Sequence, residues 1–389
     1  MKWTLVKALT IGALLQTTTA LPATPDKLKV VKTTKHGDQT IDWVVKESQG
    51  EIASPPPHPP AGTQKRAADV PSAAQIASIP EPGPEGTVPI VRSSKSNIPP
   101  KRLPQASDNN STHGATTFAA NGYAGTHWYA SSNQNILNHG GGAKFSIYNA
   151  YLESDYDFSL LQLAVTVGSA PKPGGGTTGQ TLEAGWMHYP FLESGGPFLF
   201  TYFTTNGYTK SGDNQGGYNR LQKGWMQVDK DIFPGIHLSP MSVDGGAQYD
   251  LQLNYVLYQG NWWLYALDRY IGYYPASLYS QGGVDASKTL TTHSDVILFY
   301  GEVVNSQDHL TTTDMGSGEF PDKGFGKSGY IRNIFYLDTN DKAQDYNSQG
   351  HYVISDPNRY QILDHWNSGT DWGSYAFLGG PGAGGVVGG

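Results

Sequence analysis

TLEAGWMHYP, residues Thr181–Pro190, alternates as a strand does. With a period of two, Thr181, Glu183, Gly185 and Met187 share one face, and Leu182, Ala184 and Trp186 the other. Leu182 and Trp186 suit a core between two sheets. Glu183 then looks out from the opposite face in an otherwise apolar run. A buried carboxylate there is costly unless it is paired, hydrogen-bonded or protonated. Gly185 beside it leaves room for a close backbone approach.

SDVILFYGEVVNS, residues 294–306, repeats the pattern. Val296, Leu298, Tyr300, Glu302 and Val304 share one face; Ile297, Phe299, Gly301 and Val303 share the other. Glu302 again stands in an apolar run next to a glycine. Around these two segments the chain from Thr112 onward reads as short strands: AKFSIYNAYL, FSLLQLAVTVG, PFLFTYFTTN, GWMQVDK, AQYDLQLNYVLYQ, NWWLYALD and SGYIRNIFYLD. Gly, Asn, Asp and Pro punctuate between them, and no long helix is expected. This predicts an all-β fold, an antiparallel two-sheet β-sandwich, over residues 112–379. The glycine-rich end, 380–389, reads as a flexible tail.

The chain begins differently. MKWTLVKALTIGALLQTTTALPATP has Lys2 and Lys7, a short apolar segment and small residues up to Ala20. This is the pattern of a secretory signal peptide over 1–20, cleaved after Ala20, too short to span a membrane stably. The expected compartment is extracellular. Residues 21–102 follow as a leader with a small β-containing part and a Pro-rich linker over 53–102, including SPPPHPPAG. Lys65-Arg66 and Lys101-Arg102 are dibasic pairs suited to kexin-type processing, and Asn109 and Asn110 open glycosylation sequons. Residues 1–102 carry 13 Lys/Arg against 8 Asp/Glu; the remainder carries 13 against 25. A basic leader on an acidic body is attracted at neutral pH and loosened as carboxylates protonate, as an acid-triggered propeptide would be. A body this acidic is a poor partner for nucleic acid.

Other chemistries find little support. There are no cysteines, so no thiolate site and no cysteine nucleophile. GFGKSG (324–329) follows a loop rather than a strand and lacks the glycine spacing of a phosphate-binding loop. No G-x-S-x-G or H-E-x-x-H occurs. The histidines show no helical metal spacing, and a site across strands from His127, His188 and His237 is the weak remaining route to a metal. No cofactor is expected.

LEAGW, FLFTYFTTNGY, GWMQVDKDIFPGIHLSP, GGAQYD, GNWWL, IGYYP and FYGEVVNS occur in this order and resemble the catalytic domain of the neprosin family of glutamic endopeptidases. KTTKHGDQTIDWVVKESQ resembles the activation peptide that precedes it in that family. The resemblance implies a secreted zymogen with a β-sandwich peptidase domain and two catalytic glutamates, which fall on Glu183 and Glu302. It implies metal-free cleavage after proline at acid pH, protein or peptide substrates (proline-rich above all), and the chain's own propeptide as an intramolecular inhibitor. The plant pattern has cysteines where this chain has Gly217, Gln222 and Trp43. The Pro-rich leader and dibasic pairs point to a microbial, fungal-type processing route.

Two nearby carboxylates sharing a proton supply both a base for water and an acid for the leaving nitrogen. Trp186, Tyr202, Tyr218, Trp262 and Tyr300 are candidate substrate-binding aromatics, because proline rings pack on aromatic faces. The competing reading is a carbohydrate-active or carbohydrate-binding β-sandwich, since paired carboxylates and aromatics also describe sugar clefts.

Overall fold

A computed structural model describes residues 28–62, 72–73, 75–77, 81–93, 98–99, 101–104, 116–120 and 123–384. Residues 1–20, read as a signal peptide with cleavage after Ala20, the Lys65-Arg66 pair, Asn109, Asn110 and residues 385–389 lie outside the described residues. The leader forms a small three-stranded sheet, linker residues Gln75–Ile76 pair with Leu238–Ser239 of the body, and two large, mainly antiparallel sheets make up the body.

The leader contributes strands β1 (Val30–His36), β2 (Gln39–Val45) and β3 (Thr87–Val91), paired in the order β1-β2-β3. The body follows with β4 (Tyr123–Asn138), β5 (Gly140–Ser146), β6 (Phe158–Pro171), β7 (Thr177–Tyr189), β8 (Glu193–Thr204) and β9 (Gly216–Tyr218). Next come β10 (Tyr249–Tyr258), β11 (Asn261–Ala266), β12 (Arg269–Pro275), β13 (Ser294–Asn305) and β14 (Gly329–Leu337). The last three are β15 (His351–Ile354), β16 (Gln361–His365) and β17 (Tyr375–Gly379). The front sheet runs β9-β8-β7-β6-β13-β4-β15, and the back sheet continues β12-β11-β10-β5-β14-β17-β16.

The alternation in the two glutamate strands is borne out. Leu182, Ala184 and Trp186 of β7 and Ile297, Phe299 and Val303 of β13 are buried in the main core between the sheets. Phe145, Leu251, Leu253 and Tyr255 meet them from the back sheet. Met315 fills the space over Gly301, where any Cβ would meet its sulfur. Glu183 and Glu302 are therefore driven to the outer face of the front sheet, because their strand neighbours are claimed by the core.

Some expectations need correction. AKFSIYNAYL forms strand only to Ser146, and GWMQVDK only at Met226–Gln227. β4, sixteen residues rich in Ser, Asn and Gln, and β12 were legible only after the fact. The glycine-rich end is not a free tail from 380 on: Gly380, Pro381 and Gly382 are buried, Met315 N–H donates to Gly380 O, and Ala383 N–H donates to Thr311 O. GFGKSG is a turn leading into β14, with Lys327 paired to exposed Asp244 at 2.8 Å. Among the described residues no helix is long and apolar enough to cross a membrane.

The leader packs on the body through both apolar and polar contacts. Trp43 joins the main core cluster, and Gln49 exchanges hydrogen bonds with the Gln227 backbone at 2.8 and 3.0 Å. Gln39 Nε2 donates to Gly235 O (2.7 Å) and to Glu193 Oε2 (3.0 Å). Burial pushes the Glu193 carboxyl up to about 7 from its ordinary 4.5, against the opposing pull of Gln39. A raised carboxyl favours the packed state below its ordinary value, and the benefit is lost as pH rises through about 7. Glu193→Gln keeps the acceptor for Gln39 without the charge. Thermal unfolding should show no gain for Glu193→Gln at pH 4 and a gain of up to ~3 kcal/mol at pH 8; equal shifts at both pH values would contradict this.

Candidate active site

Strand register brings the two glutamates to one place. β6 lies between β7 and β13, and Gln162 is opposite both Gly185 and Tyr300. Ala164 is opposite Glu183, and Leu160 is opposite Glu302. Ala164, Gln162 and Leu160 are two apart, so all face the same way. The carboxylates thus reach diagonally across β6 from either side, with Gln162 between them. Gly185 is needed because a Cβ there would lie 2.2 Å from Leu161 O and 2.7 Å from Gln162 Cβ.

Both glutamates are fully buried. Glu183 is held by uncharged donors: Gln162 Nε2 at 2.8 Å, Thr181 Oγ1 at 3.0 Å, Tyr208 hydroxyl at 2.6 Å and Tyr300 hydroxyl at 3.4 Å. Gln162 Nε2 also donates to the Tyr300 hydroxyl in a very short contact, while its Oε1 has no hydrogen-bond partner. Burial first, and the neighbouring carboxylates second, push the Tyr208 and Tyr300 phenols far up, so they remain donors.

Glu302 is held differently. His127 Nδ1 is 2.6 Å from Oε1, and Lys101 Nζ is 2.6 Å from Oε2. The same ammonium is 3.5 Å from Glu183 Oε2. The two Oε2 atoms therefore lie no further apart than 6.1 Å, the sum of these distances. Lys101 is also fully buried, with its ammonium over the rings of Phe158 (5.6 Å) and Phe200 (5.4 Å). Burial opposes ionisation of Glu302, but Lys101 and His127 outweigh it and hold the carboxyl below its ordinary range.

Lys101 comes from the leader. The segment around it crosses the outer face of the front sheet, with Ile98 packed against the Phe158, Tyr202 and Tyr218 cluster. Leu103 packs against the Tyr129, Ala164 and Tyr300 cluster, and the Tyr129 hydroxyl donates to Arg102 O at 3.3 Å. Beyond Leu103 and Pro104 opens a groove of about 960 Å³, bordered by Thr181, Tyr208 and Tyr279.

The predicted residues divide by face. Glu183, Glu302, Tyr202, Tyr218 and Tyr300 come together on the outer face. Trp186 and Trp262 do not: both are in the core between the sheets, their indoles donating to Ser146 O (2.7 Å) and Leu290 O (2.6 Å). The period of two already put Trp186 on the core face, and Trp262 follows the same rule. Direct sharing of a proton between the glutamates is also not what this state contains, because an ammonium separates them. Of the three histidines weighed for a metal, His127 enters the site as a carboxylate partner. His188 donates to Ala150 O (2.9 Å) and His237 packs on Phe198. Among the described residues no group of three side chains is arranged to hold a metal. Gln162 and Tyr208 were not anticipated, nor was His127 as a partner of a carboxylate. Gln162 carried a signal: it is the one polar residue within the apolar run LLQLAV, 160–165, by the same reasoning that singled out Glu183.

The site is thus two buried carboxylates on the outer face of an antiparallel β-sandwich, covered by the leader and flanked by the groove beyond Pro104. The sequence model of the Neprosin family matches residues 155–381, and the chain belongs to that family. The family is of peptidase type, so protein or peptide substrates are implied. The match spans both glutamates and ends within the packed glycine-rich segment.

The bridging ammonium makes a clear prediction. A lowered carboxyl stabilises above its ordinary value, and that contribution is lost as pH falls through its lowered value in the folded state. Lys101→Met leaves two buried carboxylates without their cation. It should cost about 3–5 kcal/mol at pH 7.5 and much less near pH 3, measured by chemical denaturation; a loss independent of pH would show that the ion pair is not what Lys101 contributes.

Proposed function

We propose that the chain is made as a secreted zymogen of an acid-active glutamic endopeptidase that cuts after proline, with Glu183 and Glu302 as its catalytic pair. The observation that carries this reading is Lys101 Nζ, seated between the two carboxylates. An ammonium is close to water in size, so its position is where an attacking water fits once the leader withdraws. One carboxylate then takes a proton from that water as its oxygen adds to the peptide carbonyl carbon. The other, protonated, gives its proton to the amide nitrogen as the C–N bond breaks. Two like charges this close favour the singly protonated pair, so activity is expected below neutrality and falls when both ionise.

The leader is the intramolecular inhibitor in this reading. Lys101 occupies the reacting position, and Ile98 and Leu103 cover the cleft on either side. Protonating the glutamates removes the partner of the ammonium, which favours release in acid. Because Lys101 is fully buried, a kexin-type cut at Lys101-Arg102 has to follow that release. The signal segment supports secretion. Post-proline preference is supported by the aromatic basin of Phe158, Tyr189, Phe198, Phe200, Tyr202 and Tyr218 beside the glutamates, which suits a flat proline ring.

The test is incubation of the secreted protein at pH 3–4 with a proline-containing peptide library, with oligosaccharides alongside, reading products by mass spectrometry. Cleavage should persist with a chelator present, occur after proline, and drop by about 10²–10⁴-fold or more in Glu183→Gln and in Glu302→Gln. Hydrolysis of the oligosaccharides alone would favour the carbohydrate-active reading. Full peptide cleavage by either variant would remove that glutamate from the mechanism.

A further inference from the structure

The two glutamates are not equivalent in their surroundings. Apart from Lys101, the described hydrogen-bond partners of Glu183 are uncharged. Glu302 has in addition an imidazole at 2.6 Å. His127 is buried, held nearly parallel to Tyr129 (ring centroids 6.2 Å apart) and edge-on to Phe158 (6.1 Å). It sits on β4 opposite Val304, one step along the same face from the Tyr129–Glu302 pair. Strand register therefore fixes the ring against the carboxylate independently of the leader.

We infer that His127 is a positioning residue that keeps Glu302 ionised after Lys101 has gone, making Glu302 the base and Glu183 the acid. An imidazole beside a carboxylate takes up a proton readily in acid. In the open site one imidazolium neutralises one carboxylate. With Lys101 gone, a second ionised carboxylate beside the first would have no cation of its own, so the shared proton resides on Glu183. Water gives its proton to Glu302, and Glu183 gives its proton to the leaving nitrogen. A proton passing from Glu302 to Glu183 through solvent restores the starting state.

The other titratable and charged groups facing Glu302 are Lys101 from the leader, Glu183 from β7, Tyr300 from its own strand, Tyr129 from β4 and Tyr218 from β9; Arg102 lies by Tyr129. The three phenols are raised by burial and stay neutral. His127 is thus the cation among these groups that belongs to the body rather than to the departing segment.

This assignment rests on the peptidase reading, and its test separates the two. His127→Asn keeps an N–H donor at similar reach and removes the charge; His127→Ala removes both. In the full chain the carboxyl ¹³C signal of Glu302, identified by its loss in Glu302→Gln, should titrate about one pH unit or more higher in His127→Asn. The acid limb of kcat/KM should move up by the same amount, costing about tenfold at pH 3, with KM and thermal stability little changed. An unmoved acid limb and unmoved Glu302 signal in a folded His127→Asn would reduce His127 to packing and overturn the inference. Movement of the basic limb alone would reverse the two roles and also overturn it. If the wild type cuts no peptide while the Glu302 signal still shifts in His127→Asn, the peptidase reading fails and the charge pairing stands.

Discussion

Two carboxylates lie on the two strands that flank β6, both without solvent contact, and one lysine ammonium sits between them. Charges in such a place are tolerated only when paired and hydrogen-bonded. Much of the surrounding structure follows from that constraint. Gly185 gives Gln162 the room to reach between them, and Tyr208, Tyr300 and Thr181 surround Glu183, the carboxylate farther from the ammonium, with neutral donors. The leader, residues 21–102, has a balance of +3 against −12 for residues 103–389, and Lys101 brings one of its charges to 2.6 Å from Glu302.

The same arrangement makes the assembled state a function of pH. Near neutrality the ammonium and the carboxylates hold each other. In acid the carboxylates take up protons and the ammonium loses its counter-charge while remaining buried. Glu193 works in the other direction at a second contact, since its buried carboxyl favours the packed leader when protonated. In the proposed activation, release in acid depends on the Lys101 contact outweighing the Glu193 contact, which the number of charges involved supports.

The fold class and the two glutamates were legible because period-two alternation is unambiguous when one face is fully apolar. Leu182, Ala184 and Trp186 leave Glu183 only one direction to point. Legibility ended where alternation weakened: β4 is polar along much of its length and pairs with β13 in the front sheet all the same. It also ended where the signal was long-range. Nothing local to NIPPKRLPQ tells that Lys101 enters the cleft, because its partners are 82 and 201 residues away in sequence. Trp262, an aromatic in a strand, looked like a cleft residue and is core, since composition does not report which face a side chain takes. The Neprosin match covers the region of both glutamates, while the leader's grip on them is visible only in the structure.

The most direct measurement is a structure of the secreted Glu302→Gln protein, taken at acid pH with an uncleaved proline-containing peptide bound. The account predicts that Lys101 has left the site and that the amide following the proline lies between Glu183 and position 302, with its nitrogen toward Glu183. A peptide bound away from this pair, or bound with Lys101 still between the two side chains, would contradict it.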